Sequence, residues 1–176
     1  MIDRGKDGAA RHATVLVADD HPLTRRGVLS LIAGEADLTV CGEADTIAKT
    51  RRLSRELKPD LVILDLDLPD GDAFDLLEEL RSWAERPKVV ALAGCSEGDG
   101  EAERALRSGA AAFVSRRADG EELLRVLRSA LAGHIILGDA VIERLLRQRL
   151  MRQRTSGVEK KGDGVHSPVA SRLTVR

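Results

Sequence analysis

Carboxylates at two places in the chain have the types and spacing to do chemistry. Asp19 and Asp20 follow the apolar run Thr14–Ala18 (TVLVA), and Asp65 and Asp67 follow the apolar run Leu61–Leu64 (LVIL). If the two runs end side by side, at least three carboxylates crowd one pocket, where they repel one another and some would protonate. A hard divalent cation relieves that repulsion, and Mg2+ takes a few carboxylate oxygens while keeping several waters. Each group has a plainer reading alone. Asp19–Asp20 could cap a helix starting near Pro22, and Asp65 could be a solvated loop residue. Their joint occurrence is what points to chemistry.

Such a pocket needs elements that bring the two runs together. The periodicity predicts strands at Thr14–Ala18, Leu38–Gly42, Leu61–Leu64, Val89–Ala93 and Ala112–Ser115. Between and after them it predicts helices. Leu23–Ala33 has Leu23, Val28, Leu31 and Ile32 on one face, with Arg25 and Arg26 opposite. Ile47–Leu57 turns Ile47, Leu53 and Leu57 inward. Ala73–Trp83 runs through Ala73, Phe74, Leu77 and Leu80. Glu101–Ser108 is short. Asp119–Ala132 opens on an Asp119/Glu122 capping box and lines Leu123, Leu124, Leu127 and Leu131 along one face. The strands are continuously apolar rather than alternating, so both sheet faces are covered and the sheet is parallel. A doubly wound α/β domain of about 120 residues follows, with its ligand site beyond the carboxyl ends of the strands.

Composition narrows the function classes. The 176 residues suit one domain with a tail. They are 43% hydrophobic and 32% charged, with net charge −1, so a packed core is expected and a generally basic nucleic-acid-binding protein is not. Aromatics are only 2% (Phe74, Trp83, Phe113), too few for a base-stacking platform. No apolar run approaches the roughly 18 residues of a spanning helix. The charged first twelve residues do not read as a secretory signal. Two distant cysteines, Cys41 and Cys95, exclude a structural zinc site and argue against a disulfide framework. The expectation is a cytoplasmic protein without a membrane segment. Neither G-x-G-x-x-G nor G-K-[ST] follows the first strand, which argues against a nucleotide-binding fold.

The segments VLVADDHP (Val15–Pro22), PDLVILDLDLPDGDA (Pro59–Ala73) and GAAAFVSR (Gly109–Arg116) resemble the receiver domain of bacterial two-component response regulators. The D-D-H-P form is similar to the subgroup that carries a LuxR-type helix-turn-helix output domain. The resemblance covers Thr14–Ala132. It implies a flavodoxin-like, five-stranded sheet of order 2-1-3-4-5. It implies that Asp65 is the phosphoacceptor, attacking a phosphohistidine of a sensor histidine kinase. It also implies that Asp20 and Asp65 bind Mg2+ directly, Asp19 through water, and Asp67 through its backbone carbonyl. The strand order would separate the strands of Cys41 and Cys95 by two others, so both should stay reduced.

Two positions depart from the family pattern. The hydroxyl residue expected at the end of strand 4 is Ala93, and the lysine expected at the end of strand 5 is Arg116, a larger planar donor. Ser96 or Ser115 could supply a replacement hydroxyl. The aromatic that changes rotamer in the family falls on Phe113, which also reads as an ordinary core aromatic. His21 marks the subgroup and sits where the first helix begins. Cys41 reads as a small buried hydrophobe, and Cys95, beside the pocket, as a candidate reactive thiol.

The expected organisation is a loose leader (1–13), the receiver (14–132), an amphipathic basic linker helix (133–154) and a flexible tail (155–176). In the linker helix, capped by Asp139, Ile142, Leu145, Leu146 and Leu150 form an apolar stripe. Seven basic and two acidic residues lie between Glu143 and Lys161. The helix packs on the receiver or on a second copy, giving a homodimer, or contacts polyanions weakly. The ending SRLTVR is similar to the opening of a LuxR-type helix-turn-helix domain, so a shortened regulator and a naturally short receiver both remain open. Sequence-specific DNA binding is not expected of this chain and belongs to a longer form.

Three functions compete. The first is a phosphorylatable module controlling transcription, which is not an enzyme. The second, favoured by Ala93 and Arg116, is an atypical receiver signalling by dimerisation or docking without phosphorylation. The third is a phosphatase, since Asp65-Leu66-Asp67 resembles the D-x-D of haloacid-dehalogenase-type enzymes. That motif would belong on the first strand rather than the third.

Overall fold

In the computed structural model the described residues are 12–94, 100–134, 136–137 and 142–143. The chain alternates β1 (Ala13–Ala18), α1 (Pro22–Ala33), β2 (Leu38–Ala44), α2 (Ile47–Leu57), β3 (Leu61–Asp65), α3 (Ala73–Ser82), β4 (Lys88–Ala93), α4 (Glu101–Ser108), β5 (Ala112–Ser115) and α5 (Gly120–Leu131), followed by β6 (Ile136–Leu137). All pairings are parallel and the order is β2-β1-β3-β4-β5-β6. The expected five-stranded order is therefore present, with one strand added.

Alternation along the strands divides the core between two faces. On one face Val15, Val17, Ile63, Val90, Leu92 and Val114 pack with Val28 and Ile32 of α1 and Leu123, Leu124 and Leu127 of α5. Leu16, Val62 and Leu64 occupy the alternate positions and are fully buried on the other face. There α2 comes so close to β2 that a side-chain carbon on Gly42 would lie 2.9 Å from Leu57 Cδ1 and 3.3 Å from Leu16 Cδ1. Val15 pairs with Val40 and Leu16 with Gly42, which leaves Cys41 as the extra residue of a bulge. Its thiol is half-buried, and burial pushes its pKa up. Cys95 lies outside the described residues.

Side-chain caps fix where the helices begin. Thr46 accepts from Lys49 N, Asp72 from Phe74 N and Asp119 from Glu122 N. The Asp119 cap is the one expected. Asp19 and Asp20 do not cap α1: its N-cap is His21, without a side-chain bond, and Pro22 opens the helix.

Three expectations need correction. Leu23, in the first turn of α1, is 86% exposed, and α1 buries Val28 and Ile32 instead. Leu57 turns toward the sheet, with its Cδ1 over Gly42, but stays 40% exposed, and the residues α2 buries fully are Ile47, Thr50 and Ser54. Hydrophobic periodicity misses these because two of the three are small polar residues. The segment after α5 is not helical throughout, since Ile136 and Leu137 pair with Ala112 and Phe113 as a parallel strand. Two apolar residues are too few for any periodicity to register. Ile142 and Glu143 are helical, and the rest of the expected linker helix, the leader and the tail lie outside the described residues.

Candidate functional site

The register of the strands builds the site. Ala18 pairs with Leu64 across β1 and β3, so the next residues, Asp19 and Asp65, leave the sheet side by side. Asp19 is still held in the β1–β2 ladder by its N–H to Ala44 O at 3.1 Å. On the other side Asp65 pairs with Leu92, and the ladder runs on through Leu66 N to Leu92 O at 3.0 Å. Ala93 pairs with Ser115, and Arg116 N donates to Ala93 O at 3.0 Å. Four strand ends thus converge on Asp65.

Asp19 and Asp65 are completely buried, and Asp20 and Arg116 partly so. Asp19 Oδ1 accepts the His21 N–H at 2.7 Å, and Arg25 donates to Asp19 O at 2.6 Å. Asp65 Oδ1 accepts the Asp67 N–H at 2.9 Å and the Arg116 guanidinium, which also reaches Asp67 Oδ2 at 3.1 Å. Asp19 Oδ2 and Asp65 Oδ2 are buried without a hydrogen-bond partner. His21 Nδ1 lies 2.6 Å from Asp20 Oδ1, 3.6 Å from Asp19 Oδ1 and 3.8 Å from Asp65 Oδ2.

These contacts set the electrostatics. Burial raises the Asp65 carboxyl above its ordinary value and Asp19 adds to the rise, while the Asp67 amide and Arg116 work against it. Burial disfavours the Arg116 charge, but Asp65 and Asp67 outweigh it and hold the guanidinium protonated. Two buried carboxylate oxygens without donors leave free acceptors in the pocket, which suits a cation. Asp19, Asp20, His21 and Asp65 each bring one ligand atom to within 4.8 Å of the others. The residues fit a divalent ion.

Similarity to known proteins decides the family. Residues 15–128 match the response regulator receiver domain. The chain belongs to that family. This receiver is 35% identical over 129 residues to the nitrate/nitrite response regulator protein NarL of Escherichia coli, covering 73% of this chain and 59% of that one. It is 33% identical over 131 residues to the response regulator GacA of Pseudomonas aeruginosa, covering 74% and 61%. The chain therefore spans about three fifths of the length of these relatives. Among solved structures, a LuxR-family two-component response regulator from Aurantimonas superposes with a TM-score of 0.72 at 27% identity, over 79% of this chain and 99% of that one. The receiver domain of the response regulator NarL from Mycobacterium tuberculosis gives 0.66 at 27% identity, over 70% and 99%.

The structure brings together most of the residues singled out from the sequence. Asp19, Asp20 and Asp65 form the pocket, Arg116 closes it, and Asp67 contributes its amide and side chain. Ala93, 1% exposed, stands at the end of β4 and offers no donor. Phe113 is buried in β5, while Ser96 lies outside the described residues. Ser115 Oγ accepts the Arg117 N–H at 3.1 Å. Two participants went unassigned. His21 enters the cluster directly, as its place beside the acid pair could have suggested. Asp70, in the loop after Asp65, accepts Ile47 N at 2.5 Å and Ala48 N at 3.0 Å, tying that loop to α2. No local pattern announces a cap supplied by a residue 23 positions away.

Proposed function

We propose that this receiver accepts a phosphoryl group on Asp65 from a phosphohistidine of a sensor histidine kinase and relays the change to a transcriptional output. The observation that carries this reading is the asymmetry of the Asp65 carboxylate. Oδ1 is engaged by the Asp67 amide and by Arg116, whereas Oδ2 is buried and unpartnered. In the transfer the Asp65 carboxylate attacks phosphorus through one oxygen and keeps the other toward the cation; an O–P bond forms, the P–N bond to imidazole breaks, and the departing imidazole nitrogen keeps the electron pair and takes a proton from solvent. The product is an acyl phosphate.

Asp19, Asp20 and Asp65 would hold Mg2+, with the Asp67 carbonyl completing the set. Bound there, the ion supplies positive charge that lets an anionic nucleophile and an anionic phosphoryl group approach. Arg116 adds a second positive group, able to turn from Asp67 to a phosphoryl oxygen. Nothing in this chemistry needs turnover, so the receiver works as a switch rather than a metabolic enzyme, in the cytoplasm. Its partners on this reading are the kinase and a second copy of the chain. DNA is read by the output domain of a longer form, and this chain has no sequence preference of its own. Among the described residues no helix is long and apolar enough to cross a membrane.

A second reading, signalling by dimerisation or docking without phosphorylation, is favoured by Arg116, which already occupies Asp65 and Asp67, and by Ala93, which lacks a hydroxyl. Incubation with a small phosphodonor and Mg2+, followed by intact-mass measurement, tests both. One added phosphoryl group on the natural chain and none on Asp65→Asn supports phosphorylation. No adduct on either supports the second reading, and multiple turnover of phosphate release would indicate a phosphatase.

A further inference from the structure

We propose that His21 is a direct ligand in the acidic pocket and that it biases the pocket away from Mg2+ and toward first-row transition ions such as Co2+. This rests on the reading of the pocket as a cation site and adds a residue and an ion class to it.

The distances carry the argument. Around an octahedral ion with ligands at about 2.1 Å, adjacent ligand atoms lie about 3.0 Å apart and opposite ones about 4.2 Å. His21 Nδ1 is 2.6, 3.6 and 3.8 Å from oxygens of Asp20, Asp19 and Asp65, and the whole set fits within 4.8 Å. The ring is thus near ligand spacing: the Asp20 contact has to open by a few tenths of an ångström, and any pair near the 4.8 Å limit has to draw in by roughly half an ångström. A second observation points to a ligand independently. Asp19 Oδ2 and Asp65 Oδ2 are fully buried and lack any hydrogen-bond donor.

The backbone holds the imidazole there. Pro22 disfavours a helical conformation at His21, and the residue sits extended at φ −84°, ψ 109°. Its N–H is fixed on Asp19 Oδ1 at 2.7 Å. The ring therefore projects over the ends of β1 and β3 rather than joining α1.

Three carboxylates and an imidazole are a mixed set. Mg2+ prefers oxygen and gives up its waters reluctantly, so it would leave the imidazole aside. Later first-row ions accept imidazole readily, and their affinity rises along the series. An all-oxygen pocket also favours those ions, so the diagnostic quantity is the change in the Co2+ to Mg2+ affinity ratio when His21 is removed.

The experiment is calorimetric titration of Co2+ and Mg2+ into the natural chain, His21→Ala and His21→Asn, at one fixed pH above the imidazole range. The proton spectrum of each Co2+-loaded protein is recorded in water and in D2O. Both variants should bind Co2+ about tenfold more weakly or worse, with Mg2+ affinity changed by less than about twofold. The natural protein alone should show a strongly shifted, exchangeable imidazole N–H resonance. Equal losses for both ions, or equal gains showing that His21 merely competes for Asp20, would overturn the proposal, as would absence of the shifted resonance. An unchanged ratio in a chain that still forms the Asp65 adduct removes His21 and leaves the phosphorylation reading intact. A changed ratio without an adduct does the reverse.

Discussion

Arg116 closes its guanidinium on Oδ1 of Asp65, a residue 51 positions earlier in the chain. The contact is possible because β5 lies next to β4 and β4 next to β3, so the ends of β3 and β5 flank a single strand. It gives the pocket a positive group of its own, fixed by a planar fork that also engages Asp67.

That group opposes any cation entering the pocket. Two unit charges about 4 Å apart near a protein surface interact by about 4 kcal/mol. Arg116→Ala should therefore bind Mg2+ about tenfold more tightly or better, measured by calorimetry. Unchanged or weaker binding would show that Arg116 supports the cation site rather than competing with it.

The raised Asp65 carboxyl makes a second prediction. Its folded pKa lies above the ordinary 3.8, so the folded state holds this proton more firmly than the unfolded chain. Between the two values stability falls as pH rises, and the cost of the buried carboxylate is fully present above the folded pKa. Asp65→Asn should gain stability relative to the natural protein as pH increases from about 4 to 7. Urea unfolding of both proteins without divalent ions checks this, and a pH-independent difference would contradict it.

Asp70 has the opposite sign. Burial alone would raise its carboxyl, but the amides of Ala48 and Ile47 outweigh that and hold it below its ordinary value. Its contribution is present above the ordinary value and lost as pH falls through the lowered folded one. As a cap for α2, it should cost about 1 kcal/mol when changed to Ala. The loss should be visible in urea unfolding at neutral pH and should shrink in acid.

Ala93 is the position where a hydroxyl is missing. A hydrogen bond to a charged group is worth about 1.5–3 kcal/mol. Ala93→Ser should therefore strengthen binding of a beryllofluoride phosphoryl mimic by about tenfold. Fluorescence titration through Trp83, or calorimetry, reads the change. Equal affinity in both proteins would show that Ala93 does not face the phosphoryl position.

Much of this architecture is legible in the sequence because parallel strands are written as continuous apolar runs. LVIL and VVALA can hardly be anything but buried strands, and acidic residues following such runs must sit at the sheet's carboxyl edge. The helix faces were less legible. Leu23 and Leu57 have the right spacing, but each sits in a terminal turn of its helix, Leu23 86% exposed and Leu57 40% exposed even with its Cδ1 over Gly42, so spacing alone does not decide burial there. Thr50 and Ser54 are buried without being apolar. The Asp70 cap and the Arg116 fork join distant parts of the chain, and no local pattern encodes them. His21 was visible as a residue beside two acids, yet only the extended backbone before Pro22 turns its ring toward them.

The short strand after α5 has a consequence for how copies of the domain behave in a crowd. Without β6, the outer side of β5 would present unpaired amides and carbonyls, a template on which another chain could add a strand. Ile136 and Leu137 occupy that template opposite Ala112 and Phe113, and a strand of two residues offers little template in turn. Among the described residues, resistance to edge-to-edge aggregation on this side is therefore supplied by a dipeptide outside the alternating repeat.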